Sequence, residues 1–459
     1  MKEYIGSHIK GIKIAYIGGG SRGWAWALMT DLAMAEDISG EIALYDIDFA
    51  AAKKNEIIGN RIKDMEGVKS VWDYRAVEGL DEALSGADFV VISILPGTLE
   101  EMYSDVHAPE KYGIYQAVGD TTGPGGVIRA LRTIPIYVEF AKAIERYCPK
   151  AWVINYTNPM AVCVSTLYRV FPGIKAFGCC HEVFGTQKLL AKVLEEMRGI
   201  QEVRREDIVT NVIGVNHFTW LTSAQYRDMD LFPIYREFCR KHAKEGYSKG
   251  GDDNWMNNSF QSEEMVKMEL FLRHGLIAAA GDRHLAEFCN KKWYLDSPER
   301  VAEMHFGLTS VDSRKEDLTK RLEKSERLVT GEETFEFKPT GEDGVNQMRA
   351  LLGLTELTTN VNLPNMGQIP NLPRGIVVES NAVFRADSAV PVFAGEVPME
   401  IYPMLSKFAG EQELTVRAGL MQDLELAYQA FITDPLCDLT LADSRRLFDE
   451  MIENTRQYL

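Results

Sequence analysis

Residues 12–17 of this chain, Ile-Lys-Ile-Ala-Tyr-Ile, run directly into Gly18-Gly19-Gly20-Ser21-Arg22-Gly23. Few local patterns constrain a fold more. A strand (Ile12–Ile17) that ends in G-x-G-x-x-G and continues into an apolar helical segment, here Ser21–Met34, opens a βαβ unit. The glycines permit a tight turn and let backbone approach a pyrophosphate. The helix N-terminus then offers unpaired N–H groups and a partial positive charge. Asp46 ends the next apolar run, Ile42–Tyr45. A carboxylate there accepts hydrogen bonds from a ribose diol, which favours NAD. Arg22 keeps the 2′-phosphorylated cofactor open, because an arginine beside the loop suits a phosphate. The competing reading is a glycine-rich turn with no ligand.

Short apolar runs and helical patterns keep alternating as far as residue 200. The spacing predicts helices over Phe49–Ile62, Leu80–Ser85, Val127–Arg146 (broken early by Pro135) and Met160–Val170. It predicts strands over Asp88–Leu95, Trp152–Asn155 and Ile174–Gly178. Such alternation specifies a parallel sheet with crossover helices. From the strand Ile208–Val215 onward the pattern changes and becomes mostly helical. Gly250–Asn258 reads as a surface loop, Lys315–Arg327 as a charged helix or linker, and Asn360–Pro373 as irregular structure. Glu413–Ala430 and Leu441–Thr455 read as terminal helices. The expected fold is therefore α/β: a Rossmann-type parallel sheet over residues 1–200 and an α+β domain over 201–459.

The chain of 459 residues carries 50 Lys and Arg against 67 Asp and Glu, a net charge of −17. An acidic surface repels phosphate backbones, so nucleic acid is excluded as a partner. Small anions remain admissible where a site is locally basic. No apolar run approaches the ~20 residues that span a bilayer, and the N-terminus shows no signal-peptide pattern. The expected location is the cytoplasm. There the seven scattered cysteines stay reduced, as core residues or metal ligands.

Further motifs sit at predicted strand ends. Cys179-Cys180-His181-Glu182 follows Ile174–Gly178, and Asn216-His217 follows Ile208–Val215. A thiolate and an imidazole at the ends of successive strands can converge on one metal and leave coordination positions for substrate. The alternative is a buried Cys serving as a small core residue, beside an internally satisfied His. Gly119-Asp120-Thr121-Thr122-Gly123-Pro124-Gly125-Gly126 precedes a helix bearing Arg129. Asn155-Tyr156-Thr157-Asn158-Pro159 and Gly281-Asp282-Arg283-His284 are two more polar clusters, each readable also as an ordinary turn or cap.

Together the Gly18–Gly23 loop with Asp46, Gly123-Pro124-Gly125-Gly126, Asn155–Pro159, Cys180-His181-Glu182-Val183 and Gly214-Val215-Asn216-His217 resemble glycoside hydrolase family 4. These are the NAD- and metal-dependent glycosidases, with a lactate/malate dehydrogenase-like fold. The resemblance continues into Asn362-Leu363-Pro364-Asn365 and the C-terminal helices. Members acting on 6-phosphoglycosides carry Cys-Asp-Met-Pro, whereas Cys180-His181-Glu182-Val183 is similar to the uronic-acid branch. The loop Pro96-Gly97-Thr98-Leu99-Glu100-Glu101, where phosphoglycosidases place a phosphate-binding Arg, has two glutamates instead.

The resemblance implies hydrolysis of α-linked galacturonides derived from pectin, with α-glucuronides as the alternative. The implied route is redox–elimination–addition: oxidation at C3 by NAD⁺, loss of the C2 proton, expulsion of the glycosidic oxygen, then addition of water and return of the hydride. It implies Cys180 and His217 as ligands of a divalent metal, expected to be Mn²⁺, and Asn158 as a partner of the sugar hydroxyls. Gly18, Gly20, Ser21, Arg22, Gly23 and Asp46 would hold NAD. Asp282 matches the position of the C2 base. His181 is the candidate acid, with Asp120 and Glu182 as rivals, and Glu182 otherwise contacts substrate. Arg129, Arg283 and His284 are the candidates for a uronate carboxylate. A homodimer or homotetramer is implied. Two other readings share the nucleotide domain: a hydroxy-acid dehydrogenase, which would accumulate NADH, and an NAD-sensing regulator, indifferent to Cys180.

Overall fold

The strands of the sheet, in chain order, are β1 (Glu3–Ile5), β2 (His8–Ile17), β3 (Ile38–Tyr45), β4 (Trp72–Val77), β5 (Phe89–Ile92), β6 (Trp152–Asn155) and β7 (Lys175–Gly178). They continue with β8 (Ile208–Val215), β9 (Phe218–Tyr226), β10 (Met229–Asp230), β11 (Ile277–Ala278), β12 (Leu357–Pro364), β13 (Val377–Arg385) and β14 (Ser388–Pro391). This computed structural model describes residues 2–248, 250 and 262–459. Apart from Gly250, the loop expected over Gly250–Asn258 lies outside the described residues.

All these strands belong to one sheet, whose main path is β10-β9-β8-β13-β12-β7-β6-β5-β2-β3-β4. From β4 to β7 every pair is parallel. The reason is visible in β2. Ile12, Ile14 and Tyr16 join the core on one face, while Ala15 and Ile17 join another core on the opposite face. A strand buried on both faces needs helices on both sides, as crossover connections supply. Beyond β7 the pairing turns antiparallel through β12, β13, β8 and β9. The sheet thus runs without interruption across residue 200.

Gly18 shows why the loop sequence is needed. Its φ is +96°, and a Cβ there would lie 2.0 Å from the Ser93 carbonyl oxygen. Only glycine allows that approach. The loop is stapled by Asn55, 1% exposed. The Asn55 amide donates to the carbonyls of Gly19 (2.7 Å) and Ser21 (3.0 Å), and its oxygen accepts the Trp26 indole N–H at 2.8 Å.

Several elements differ from the sequence reading. The first helix begins at Trp24, because Gly18–Gly23 is consumed by the turn. The helix Gly123–Tyr147 passes through Pro135 unbroken. One missing N–H is offset by burial along its length, Val127, Leu131, Ile134, Tyr137 and Ile144 among it. Residues 360–364 are strand, the last part of β12, where Asn360 and Asn362 lie buried within the sheet. The expected charged segment is a helix, Val311–Thr330. Glu413–Ala430 is two helices, Tyr402–Met421 and Leu424–Thr433. Gln422 turns left-handed at the break, and Asp423 caps the second helix.

Asn55→Ala strips one donor and two acceptors of their buried partners. It should lower unfolding free energy by about 1–3 kcal/mol. Denaturant unfolding checks this, and an unchanged midpoint would show that the loop is held by other means.

Candidate active site

The strand ends of the parallel half and the turn between β8 and β9 open on the same region. Asp120 lies on the loop before the helix Gly123–Tyr147, and that loop hangs from two buried carboxylates. Glu287 accepts the N–H groups of Val118 (2.8 Å) and Gly119 (2.9 Å). Asp434 accepts the Thr122 hydroxyl (2.8 Å) and the Gly123 N–H (2.7 Å). Fixed in this way, one coordinating atom each from Asp120, His217 and His284 come within 4.8 Å of one another. The His217 and His284 rings stack with centroids 4.0 Å apart.

A relay sets the state of His217. The Thr121 hydroxyl donates to Asp120 at 2.8 Å, so its oxygen is left to accept from His217 Nδ1, 3.0 Å away. With Nδ1 protonated, Nε2 presents its lone pair. Burial, then the neighbouring His284, pushes the imidazole down to about 3, so His217 is neutral at physiological pH. The peptide bonds Asn216-His217 and Asn158-Pro159 are both cis.

Cys180 follows β7 and is buried. Burial, with the charges of Glu379 and Glu182 nearby, holds its thiol well above the ordinary range. All seven cysteines are free and buried, so no disulfide exists.

The acidic groups divide into two kinds. Burial works against ionisation of Asp120, but His284, His217 and Arg129 outweigh it and keep the carboxylate far below its usual range. Glu182 is likewise held down to about 2 by His284, His181, His217 and the Gly281 N–H, which it accepts at 2.7 Å. Asp282 behaves oppositely. It is 0% exposed, and burial plus the charge of Glu264 lift it to about 7. Its oxygens accept the backbone N–H groups of Val266 (3.2 Å) and Lys267 (3.0 Å). Asp282 is therefore not part of the Asp120–His217–His284 cluster, although it sits in the same turn as His284.

The remaining expected residues are distributed around this cluster. Asn158 donates to Asp120 at 3.0 Å and keeps a buried amide oxygen without a partner. Arg129 donates to the Asn158 carbonyl at 3.1 Å. Arg283 is anchored on the Ala117 carbonyl and the Thr309 hydroxyl. His284 lies 3.5 Å from Glu182, and its Nδ1 is buried without a partner. His181 stands between Trp24, with ring centroids 5.9 Å apart, and Glu342 at 3.5 Å. At the glycine loop, Asp46 accepts the Gly20 N–H at 2.8 Å and the Asp48 N–H at 2.9 Å. Ser21 donates its N–H to the Gly18 carbonyl, Gly23 caps the first helix, and Arg22 leans toward Asp48 at 3.8 Å.

Sequence reasoning missed three participants. Arg314, near the start of the helix Val311–Thr330, places positive charge beside Asp120 and Arg283. It is hidden in a run of charged residues that reads as solvated surface. Thr121 and Glu379 carry no pattern of their own.

Comparison with known proteins adds the lineage. Residues 13–196 match the sequence profile of the family 4 glycosyl hydrolases, and residues 212–437 match that of the family 4 glycosyl hydrolase C-terminal domain. The chain is 59% identical to an α-galacturonidase of Thermoanaerobacterium saccharolyticum, over 100% of this chain and 98% of that one. The crystal structure of lplD from Bacillus subtilis superposes with a TM-score of 0.91 at 51% identity, covering 96% of this chain and all of that one. A 6-phospho-β-glucosidase from Thermotoga maritima, solved with manganese, NAD⁺ and glucose 6-phosphate, shares the fold with a TM-score of 0.77. That pair is 22% identical over 98% of this chain and 99% of the other. With the strand-end constellation above, these likenesses establish that the chain belongs to glycosyl hydrolase family 4.

Proposed function

We propose that this enzyme hydrolyses α-linked galacturonides by a redox–elimination–addition route that uses NAD⁺ and a divalent cation, Mn²⁺ in particular. The observation that carries the substrate assignment is the 59% full-length identity to an α-galacturonidase. The dehydrogenase and regulator readings give way to it.

The residues present fit both groups. A Cβ at Gly18 would strike the Ser93 carbonyl, so only glycine permits the tight turn from β2 into the first helix that lets backbone approach a pyrophosphate. Cys180 and His217 would hold the cation. His217 offers a bare Nε2, and the ionised Asp120 and the unpartnered His284 Nδ1 border the same space. When bound, NAD⁺ supplies a hydride acceptor for C3 and the cation supplies Lewis acidity toward the sugar oxygens.

The chain's own residues do the rest. Asn158 has an unsatisfied buried oxygen for a sugar hydroxyl. The resemblance to the family assigns the C2 proton to Asp282, whose carboxylate is held by the N–H groups of Val266 and Lys267. Among the expected acid–base residues it is the carboxyl poised near neutrality, while Asp120 and Glu182 stay ionised, and environments that separate carboxyl pKa values in this way separate their roles. His181 is assigned proton delivery to the leaving oxygen. Arg129, Arg283 and His284 provide the positive field for the uronate carboxylate, and Arg314 adds to it. The loop at Pro96–Glu101 is unsuited to a phosphate. Glu101 is committed to Thr98 in a helix cap, and Glu100 adds a further negative charge.

A panel of aryl α-galacturonide, α-glucuronide, α-glucoside and 6-phospho-α-glucoside, supplied with NAD⁺, Mn²⁺ and a reductant, tests the assignment. Turnover of the galacturonide is expected. Activity confined to the neutral or phosphorylated sugars would overturn it, and undiminished activity after removal of NAD⁺ would overturn the redox route.

Asp282→Asn should cut kcat by about 10²–10⁴-fold and abolish the washout of deuterium from C2 into solvent, while NAD⁺ still binds. Retained washout would remove Asp282 from the role.

Because the Cys180 thiol is protonated in the free protein, cation binding to it must release a proton. Mn²⁺ affinity should then rise about tenfold per pH unit through neutrality. Calorimetry in buffers of different ionisation enthalpy reads the release, and a pH-independent affinity would exclude Cys180 as a ligand.

A further inference from the structure

Behind the Cys180–His217 pair lies a buried carboxylate that the reaction does not use. Glu379, on β13, is 1% exposed. Its position in the sheet is specific. Gly178 of β7 pairs with Asn362 of β12, Asn362 with Glu379, and Glu379 with Gly214 of β8. This single row crosses the sheet where two strands are about to release their chemistry. Gly178 lies two residues before Cys180, and Gly214 lies three before His217.

The carboxylate reaches both turns. One oxygen accepts the Asn216 amide at 3.1 Å and the Thr219 hydroxyl at 2.9 Å. Asn216 precedes His217 in the turn from β8 to β9, and Thr219 follows it at the start of β9. The other oxygen accepts the Asn360 amide at 2.7 Å, and that same amide donates to the Cys180 carbonyl at 3.2 Å. All three of these partners, Asn216, Thr219 and Asn360, are neutral. Among the described residues no Lys, Arg or His forms an ion pair with Glu379. Burial raises the Glu379 carboxyl above its usual range, and a cation held by Cys180 and His217 would favour its charged form.

We infer that Glu379 is the positioning residue of the cation site, holding the Cys180 and His217 turns in one geometry through Asn360 and Asn216 and offering its carboxylate as an outer countercharge when the cation is bound. The inference rests on the proposal that Cys180 and His217 hold Mn²⁺. Outer partners of this kind govern metal affinity without touching the metal.

The test is an Mn²⁺ titration followed by electron paramagnetic resonance, with NAD⁺ affinity measured in parallel by fluorescence. Wild type and His217→Ala come first. Failure of the wild type to bind, or full binding by His217→Ala, refutes the underlying metal assignment. Given a wild type that binds and a His217→Ala that does not, Glu379→Gln should bind Mn²⁺ about 10–100-fold more weakly with NAD⁺ affinity intact. Glutamine removes the charge and sets an N–H₂ against one of the amide donors. Glu379→Asp, which keeps the charge, should recover part of the loss. Wild-type Mn²⁺ affinity in Glu379→Gln overturns the inference. So does weakening of Mn²⁺ and NAD⁺ binding by the same factor, the mark of a general folding defect. If Glu379→Gln does not fold, Asn360→Ala decides. It cuts only the arm to the Cys180 carbonyl, and unchanged Mn²⁺ affinity in it likewise overturns the inference.

Discussion

The constraint on which the site depends is the single register contact that joins the two halves of the sheet, Gly178 of β7 against Asn362 of β12. On one side of it the strands are parallel and feed a nucleotide-type loop. On the other they are antiparallel and feed the β8–β9 turn. Parallel strands release their functional loops at one edge. An antiparallel strand can bring a residue from far along the chain to that same edge. In this way His217 is brought beside Asp120 and His284. Gly178 is part of the device, since a Cβ there would lie 2.4 Å from the Met160 sulfur and 3.0 Å from the Asn362 Cβ.

The electrostatics follow from burial more than from composition. The net charge of −17 is a sum over the whole chain, whereas the site gathers Arg129, Arg283 and Arg314, with the imidazoles of His217 and His284, around Asp120 and Glu182. Each carboxylate that must stay ionised is given cations or backbone N–H groups. Asp282 is given burial and a second carboxylate, Glu264, and moves the other way. The same residue type thus carries two different ionisation states in one protein.

Much of the fold was legible because it rests on local rules. Two-sided apolar strands, the glycine turn and the helical periods are properties of short windows. The errors share a cause. Pro135 reads as a helix breaker, yet the helix is buried against neighbours that outweigh one lost hydrogen bond. Asn360 and Asn362 read as loop residues, yet in β12 they occupy the interior of a mixed sheet. Strand ends pointed to His217 and Asn158, which stand beside Asp120, whereas Cys180 is not one of the residues that converge with Asp120, His217 and His284. Glu379, Thr121 and Arg314 were invisible, because a lone Glu, Thr or Arg bears no mark of the partner it meets across the fold.

By itself, the sequence determined the α/β class, the glycine-loop turn and the set of polar side chains delivered to strand ends, since sterics and hydrophobic periodicity act over a few residues. The tertiary structure alone decided which carboxyls are ionised and which nitrogen of His217 is bare. It alone decided that Asp282 is tied to a helix start rather than joined to Asp120. Those properties are set by desolvation and by groups from other elements, such as Thr121 against His217 and Glu264 against Asp282, and the pattern of a few neighbouring residues does not contain them.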